Sequence, residues 1–346
     1  MMDAYIYDGL RTPFGRHAGA LAPVRPDDLL AGVIKTLVAR NPFKPEAYED
    51  SVIGCTNQAG EDARNVARHA ALLAGLPSSI GGITVNRLCG SGLAAICDAA
   101  RAASSGQGEL FVAGGVESMS RAPFVMAKSE SAYARDVRVF DSTIGARFPN
   151  PKIGKSFGQD TMPETADNVG RDLTISRESS DRFALGSQEK YAKAKSGGFF
   201  DAEIAAVNVP GAKRGTETVV ALDEHPRPNT TLERLQELKP LFQNGVVTAG
   251  NTSGINDGAG ALIVGTRAIG ERNGKAPMAR VVSAAIAGVE PRVMGLGPVP
   301  AAKKALQRAG LALKDMDVIE LNEAFASQVL GCLKMMGVGF GSWLLC

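Results

Sequence analysis

Over roughly the first 120 residues, short apolar runs alternate with amphipathic stretches, and this alternation restricts the fold more than any other feature. "AYIYDG", "DSVIGC", "GITVN" and "ELFVAGG" are compact runs rich in aliphatic, β-branched or aromatic residues and bounded by turn formers. Between them lie "PDDLLAGVIKTLVAR", which opens on Pro26 and an acidic first turn, "NVARHAALLAGLP", and "SGLAAICDAARAAS", each with helical spacing of its apolar positions. Apolar runs of this length separated by helices predict a mostly parallel sheet covered on both faces.

The rhythm breaks from Ser118 to about Val247, where Met, Pro and charge interrupt short helical pieces such as "DTMPETADNVGRDL". Its helical periodicity argues for a folded excursion and against a disordered linker. "GALIVG" then restores strand character and is expected to rejoin the first sheet. From Ala279 the opening order returns: "ARVVSAAIAGV" as strand, "VPAAKKALQRAG" as helix, "DVIELNEA" as strand, "FASQVLGCLKMMG" as helix. Nothing follows that would match the first unit's third strand and its corner, and the tail "GSWLLC" has neither alternation nor capping signals. The expected organisation is an N-terminal half over 1–120 plus 245–270, an inserted loop domain over 121–244, and an incomplete C-terminal half over 275–346.

Composition narrows function by exclusion. A formal net charge of +2 gives no reason to expect nucleic acid or a membrane surface as partner. No apolar run approaches the roughly 20 residues of a membrane helix. Five cysteines, Cys55, Cys89, Cys97, Cys332 and Cys346, form no CxxC pair and no ligand-like spacing with the three histidines. Neither a metal site nor a disulfide framework is expected, and reduced thiols in the cytoplasm fit better.

One thiol stands apart. In "ITVNRLCGSGLAAICDAARAAS" a β-branched run meets a Gly/Ser-rich corner holding Cys89, and a helix follows. Gly90 and Gly92 would allow sharp dihedrals there. A thiol at a helix N-terminus faces a partial positive charge and backbone N–H groups, which favour a thiolate and could receive an oxyanion. A small buried hydrophobe in a tight turn explains the same residue equally well. Cys55, Cys97 and Cys332 read as packing residues.

With its companions, the corner resembles a known family. "NRLCGSGLAAI", "VAGGVESMS", "VTAGNTSGINDGAGALI", "RTPFGR" and "IELNEAFA" are similar, in order and spacing, to the motifs of the thiolases, which make or break 3-ketoacyl-CoA. "DSTIGARFPNP" and "DTMPETADNVG" resemble its 3-oxoadipyl-CoA branch. The resemblance implies a thiolase-like α/β fold, two similar mixed-sheet halves in a layered αβαβα arrangement, the second truncated. It implies acyl transfer through an acyl-Cys89 intermediate, no permanent cofactor, and coenzyme A and acyl-CoA as substrates in a homodimer or homotetramer.

It also implies roles by position. Asn322 would hold a water for the thioester oxygen, although a loop asparagine capping the next helix is an equal reading. Ser253, Met162 and Phe325 would line the pantetheine channel, against readings as a turn residue and ordinary core. Arg227 would lie near the adenine end, against a solvated surface arginine. Arg147 is the candidate cation for the distal carboxylate of a dicarboxylic substrate.

The sequence departs from the family where proton handling is expected. No "GHP" or "CxG" segment occurs, and His17, His69 and His225 stand in other contexts. Loss of a positioned acid or base costs about 10²–10⁴ in rate. Weak or lost turnover is therefore expected, with a non-catalytic CoA- or acyl-binding module or an unstable frameshift fragment as rival readings.

Overall fold

The structure, a computed structural model, describes residues 2–211, 213 and 215–339, so the "GSWLLC" tail with Cys346 lies outside the described residues. The strands are β1 (Ala4–Arg11), β2 (Gly15–Arg16), β3 (Asp50–Gly54), β4 (Ile83–Val85), β5 (Leu110–Ser118), β6 (Phe124–Met126), β7 (Val139–Asp141), β8 (Val207–Pro210), β9 (Glu217–Val220), β10 (Asn256–Gly265) and β11 (Ala279–Val281). The α-helices are α1 (Pro26–Ala39), α2 (Val66–Leu73), α3 (Ser91–Ser104), α4 (Pro151–Phe157), α5 (Met162–Asp172), α6 (Arg177–Ser196), α7 (Leu232–Glu237), α8 (Arg267–Arg272), α9 (Pro298–Ala309) and α10 (Ala326–Met336). No helix among the described residues is long and apolar enough to cross a membrane.

Two compact units emerge. The first holds the residues up to Phe148, Phe200–His225 and Ile255–Val282; the second holds Pro149–Phe199, Pro226–Gly254 and the residues from Ser283 on. The expected excursion is folded: β6 pairs with β7 and β8 with β9 as antiparallel hairpins, and α4 to α7 fill the rest. Its residues are shared between both units.

In the first unit the sheet runs β11-β1-β10-β5-β3-β4, with β2 beside β10. The segment "GALIVG" does rejoin this sheet, within β10. The expectation of a mostly parallel sheet is corrected: among the described residues the parallel ladders are those of β3 with β4 and with β5. β10 runs antiparallel to both β1 and β5, and β11 antiparallel to β1. β10 arrives from the excursion, not from a crossover helix, and a doubly buried run looks the same in either direction.

Alternation along the strands splits the core. Leu110, Val112 and Val116 share one cluster with Leu30, Ile34 and Leu37 of α1 and Ala67 and Ala70 of α2. Phe111, Ala113, Val52 and Val264 share the other with Ala95, Ala99 and Ala103 of α3. Each large aliphatic or aromatic side chain so buried contributes about 1.5–3 kcal/mol. The alanines of α3 recur at helical spacing, which brings this helix close to the strands.

The second unit contains helices and, among the described residues, no strand. "VPAAKKALQRAG" and "FASQVLGCLKMMG" form α9 and α10 as expected. The two strands expected beside them are corrected. "ARVVSAAIAGV" contributes only the three residues of β11, to the first unit's sheet, and "DVIELNEA" forms no named strand. An extended segment becomes a strand only where another backbone supplies the ladder, and a sequence pattern cannot report that partner.

Candidate active site

Cys89 lies directly before Gly90, the N-cap of α3, and is exposed. The buried-hydrophobe reading is thereby overturned. The glycines act differently from expectation. Gly90 has ordinary dihedrals, φ −87° and ψ 7°, whereas Leu88 carries a left-handed φ of 49°. For a non-glycine residue that conformation costs about 1–2 kcal/mol. Glycine serves close packing instead. A Cβ on Gly54 would land on the backbone of Ser91 and Gly92, and one on Gly114 would land on the Gly260 carbonyl oxygen. The first turn of α3 therefore rests directly on the end of β3.

Local hydrogen bonds set the corner. The N–H groups of Gly90 and Ser91 donate to the carbonyls of Arg87 (3.1 Å) and Leu88 (2.9 Å), so these two amides are committed and are not oxyanion donors. Ser91 Oγ donates to Leu88 O at 2.6 Å and accepts from Arg87 N at 2.8 Å. Asn86 Oδ1 accepts from Leu88 N at 2.9 Å, and its amide donates to Thr56 O at 3.1 Å. Beneath Thr56, Glu117 at the end of β5 accepts from Thr56 N (2.9 Å), Thr56 Oγ1 (2.6 Å) and Asn57 N (3.0 Å).

The other described thiols are withdrawn from solvent. Burial pushes the half-buried Cys97 thiol up. Burial lifts Cys332 to about 11, and its thiol donates to Gly295 O at 3.3 Å. Cys55 is raised by burial, then by Glu117 and Asp62, and donates to Asn57 O at 2.9 Å. These thiols pack, as expected.

Arg147 is half-buried in the same unit. Its guanidinium donates to Ser142 O at 3.0 Å, and its Nε is buried with no partner among the described residues. Burial holds the Asp62 carboxyl above its ordinary value, with Arg147 the smallest of the opposing pulls.

In the second unit, backbone hydrogen bonds draw two expected segments together. Ser253 N donates to Ala324 O at 3.0 Å, Thr252 bridges Phe325, and Ala326 N donates to Asn251 O at 3.0 Å. Ser253 and Asn322 are exposed. The capping role for Asn322 is overturned, because Phe325 holds the N-cap of α10. Phe325 is buried with Ala166 and Val247, as the core reading expected. Met162 opens α5 and is 42% exposed, so it is not core. Arg227 is exposed and tied to α6, its N–H donating to Gln188 Oε1 at 2.7 Å.

The support beneath these residues was invisible in the sequence. Asp181 of α6 is fully buried, accepting from Arg177 Nε at 2.7 Å and Asn251 Nδ2 at 2.9 Å. Asn251 also donates to Val246 O (2.9 Å) and accepts from Thr248 N (2.8 Å). Next to Asn322, Glu323 accepts from Ser187 Oγ at 2.5 Å. "GNTSG" marks Asn251 as a turn residue, but nothing in "SRESSDRF" announces Asp181 as its partner.

The fold is thus of the α/β class and presents one exposed cysteine, among the described residues, at a strand-to-helix corner. The thiolase N-terminal domain matches residues 4–268 and the thiolase C-terminal domain residues 275–341. The chain is 57% identical to the 3-oxoadipyl-CoA/3-oxo-5,6-dehydrosuberyl-CoA thiolase of Escherichia coli (strain K12) and 56% identical to the beta-ketoadipyl-CoA thiolase of Pseudomonas putida. Both alignments cover 98% of this chain and 84% of the relative. Among solved structures it is similar to the Bacillus anthracis acetyl-CoA acetyltransferase, with TM-score 0.90 and 36% identity over 98% of this chain and 84% of that one. Human mitochondrial 3-ketoacyl-CoA thiolase matches with TM-score 0.88 and 35% identity over the same shares. The chain belongs to the thiolase family, the acetyl-CoA acyltransferases. These likenesses lend no support to the expected truncation or loss of activity.

Proposed function

We propose that this thiolase cleaves 3-oxoadipyl-CoA to succinyl-CoA and acetyl-CoA, with coenzyme A as co-substrate and no permanently bound cofactor. The Cys89 thiolate attacks the C3 carbonyl and the C2–C3 bond breaks. Acetyl-CoA leaves as its enolate and takes up a proton, and the succinyl group stays on sulfur as a thioester. The CoA thiolate then attacks that thioester, succinyl-CoA departs, and the Cys89 sulfur is released. The observation that carries this reading is the exposure of Cys89 at the mouth of α3, while Cys55, Cys97 and Cys332 are buried or half-buried. The choice of substrate is supported by relatives named for beta-ketoadipyl-CoA and 3-oxoadipyl-CoA.

Asn322 would orient a water at the thioester oxygen. Ser253, Met162 and Phe325 would line the pantetheine path, and Arg227 would meet the adenine end. Arg147, with its unpartnered Nε, would take the distal carboxylate. Assembly with a second copy, in the cytoplasm, belongs to the same proposal. It is supported by the edge position of β4 and by exposed Ile83, Leu88 and Leu93 around it. The division into halves over 1–120 plus 245–270 and 275–346 around an insert over 121–244 is proposed on the same footing.

A second reading, CoA or acyl binding without turnover, is favoured by one fact. Among the described residues no second exposed thiol is present to act as acid and base. Incubation of the 346-residue chain with 3-oxoadipyl-CoA, followed by mass mapping, separates the two. A succinyl adduct on Cys89 with release of acetyl-CoA is expected. CoA binding by calorimetry with no adduct would establish the second reading instead.

A further inference from the structure

The geometry points to Asn86 and Ser91 as positioning residues that hold Cys89 at the end of α3 by locking Leu88 in a left-handed conformation. The inference rests on the reading of Cys89 as nucleophile and adds the device that aims it. Leucine has no intrinsic preference for φ 49°, unlike glycine or asparagine. Packing of its side chain within the chain does not select the conformation either, since it is 65% exposed.

What remains is hydrogen bonding to its peptide groups, and three bonds converge there. Asn86 Oδ1 accepts from Leu88 N at 2.9 Å. Ser91 donates to Leu88 O twice, from Oγ at 2.6 Å and from its own N–H at 2.9 Å. Ser91 also accepts from Arg87 N, so one buried hydroxyl fixes the residues before the cysteine. Asn86 is itself anchored, through Thr56, to Glu117. Strain held next to a nucleophile by over-determined contacts exposes its side chain at a strand-to-helix turn. Released, Leu88 relaxes toward extended backbone and swings the Cys89 sulfur away from the positive end of α3.

Asn86 is exposed, so its replacement leaves the core intact. The test measures the alkylation rate of each cysteine by iodoacetamide, mapped by mass, in the whole chain. Asn86→Ala is expected to slow Cys89 about fivefold, leaving Cys97 unchanged. Adding Leu88→Gly to Asn86→Ala is expected to recover the rate, because glycine adopts positive φ without strain. A Cys89 that reacts faster than Cys97 and ignores Asn86→Ala overturns the clamp alone. Equal labelling of Cys89 and Cys97 in the unsubstituted chain overturns the nucleophile reading, and the clamp with it.

Discussion

Cys89 and Ser253 are both exposed, yet the backbone beneath each is fixed by a different kind of force. Under Cys89 lies a sheet, and α3 rests on it through alanines and through glycines that leave no room for a Cβ. Under Ser253 no strand is present among the described residues, and a buried carboxylate and carboxamide gather the loop, with Asp181 holding Asn251 and Asn251 holding Thr248, Val246 and Ala326. A strand satisfies its own peptide groups and offers an apolar face, so the segment above it needs only shape. A loop packed on helices leaves peptide groups unpaired, and polar side chains must complete them. One site is built by packing, the other by polar satisfaction.

That contrast can be broken by experiment, most severely at Asp181. Asp181→Ala removes the carboxylate paired with the Arg177 guanidinium and one acceptor of the Asn251 amide, and is expected to lower stability by about 3–5 kcal/mol in urea unfolding. A loss below about 1 kcal/mol would mean that the second unit's loop is held by packing after all. Gly54→Ala probes the other side. Its new Cβ meets backbone atoms of Ser91 and Gly92, which cannot rotate away, so a loss of about 1–3 kcal/mol is expected together with slower Cys89 alkylation. A neutral Gly54→Ala would show that α3 can shift without cost.

The smallest effect concerns a charge at the first unit's surface. Hydrogen bonds from Arg121 hold the Glu61 carboxyl below its ordinary value of 4.5, against the upward pull of burial. A carboxyl depressed in the folded state adds stability that is complete above its unfolded value. That contribution is lost as pH falls through the folded value. The loss should therefore begin near pH 4.5, amount to less than about 1 kcal/mol, and be absent in Glu61→Gln. Acid titration of the two proteins that superimposed would assign the acid limb to other carboxylates.

Much of the first unit was legible because its signals are local. The apolar runs became β1, β3, β4 and β5, and "SGLAAICDAARAAS" became α3, since alternation and helical spacing are properties of neighbouring residues. Strand direction was not legible, and β10 entered the sheet antiparallel. In the second unit "DVIELNEA" had strand chemistry but forms no more than an isolated bridge at Val318. At the candidate site the cysteine was found at its corner, whereas the conformation of that corner was misassigned. The left-handed residue is Leu88, a choice visible only through the bonds of Asn86 and Ser91.

By itself the sequence determined the helices and most strand segments of the first unit, set Cys89 apart at its corner, marked the other described thiols as packing residues, and carried the resemblance to the thiolases. Tertiary structure alone decided which strands became neighbours and in which direction, that the Cys89 sulfur is exposed, and which polar groups were paired. Residues 70 apart, such as Asp181 and Asn251, or 61 apart, such as Thr56 and Glu117, meet only after folding. Periodicity is short-ranged, whereas the pairing of a buried polar atom depends on whatever the rest of the chain brings beside it.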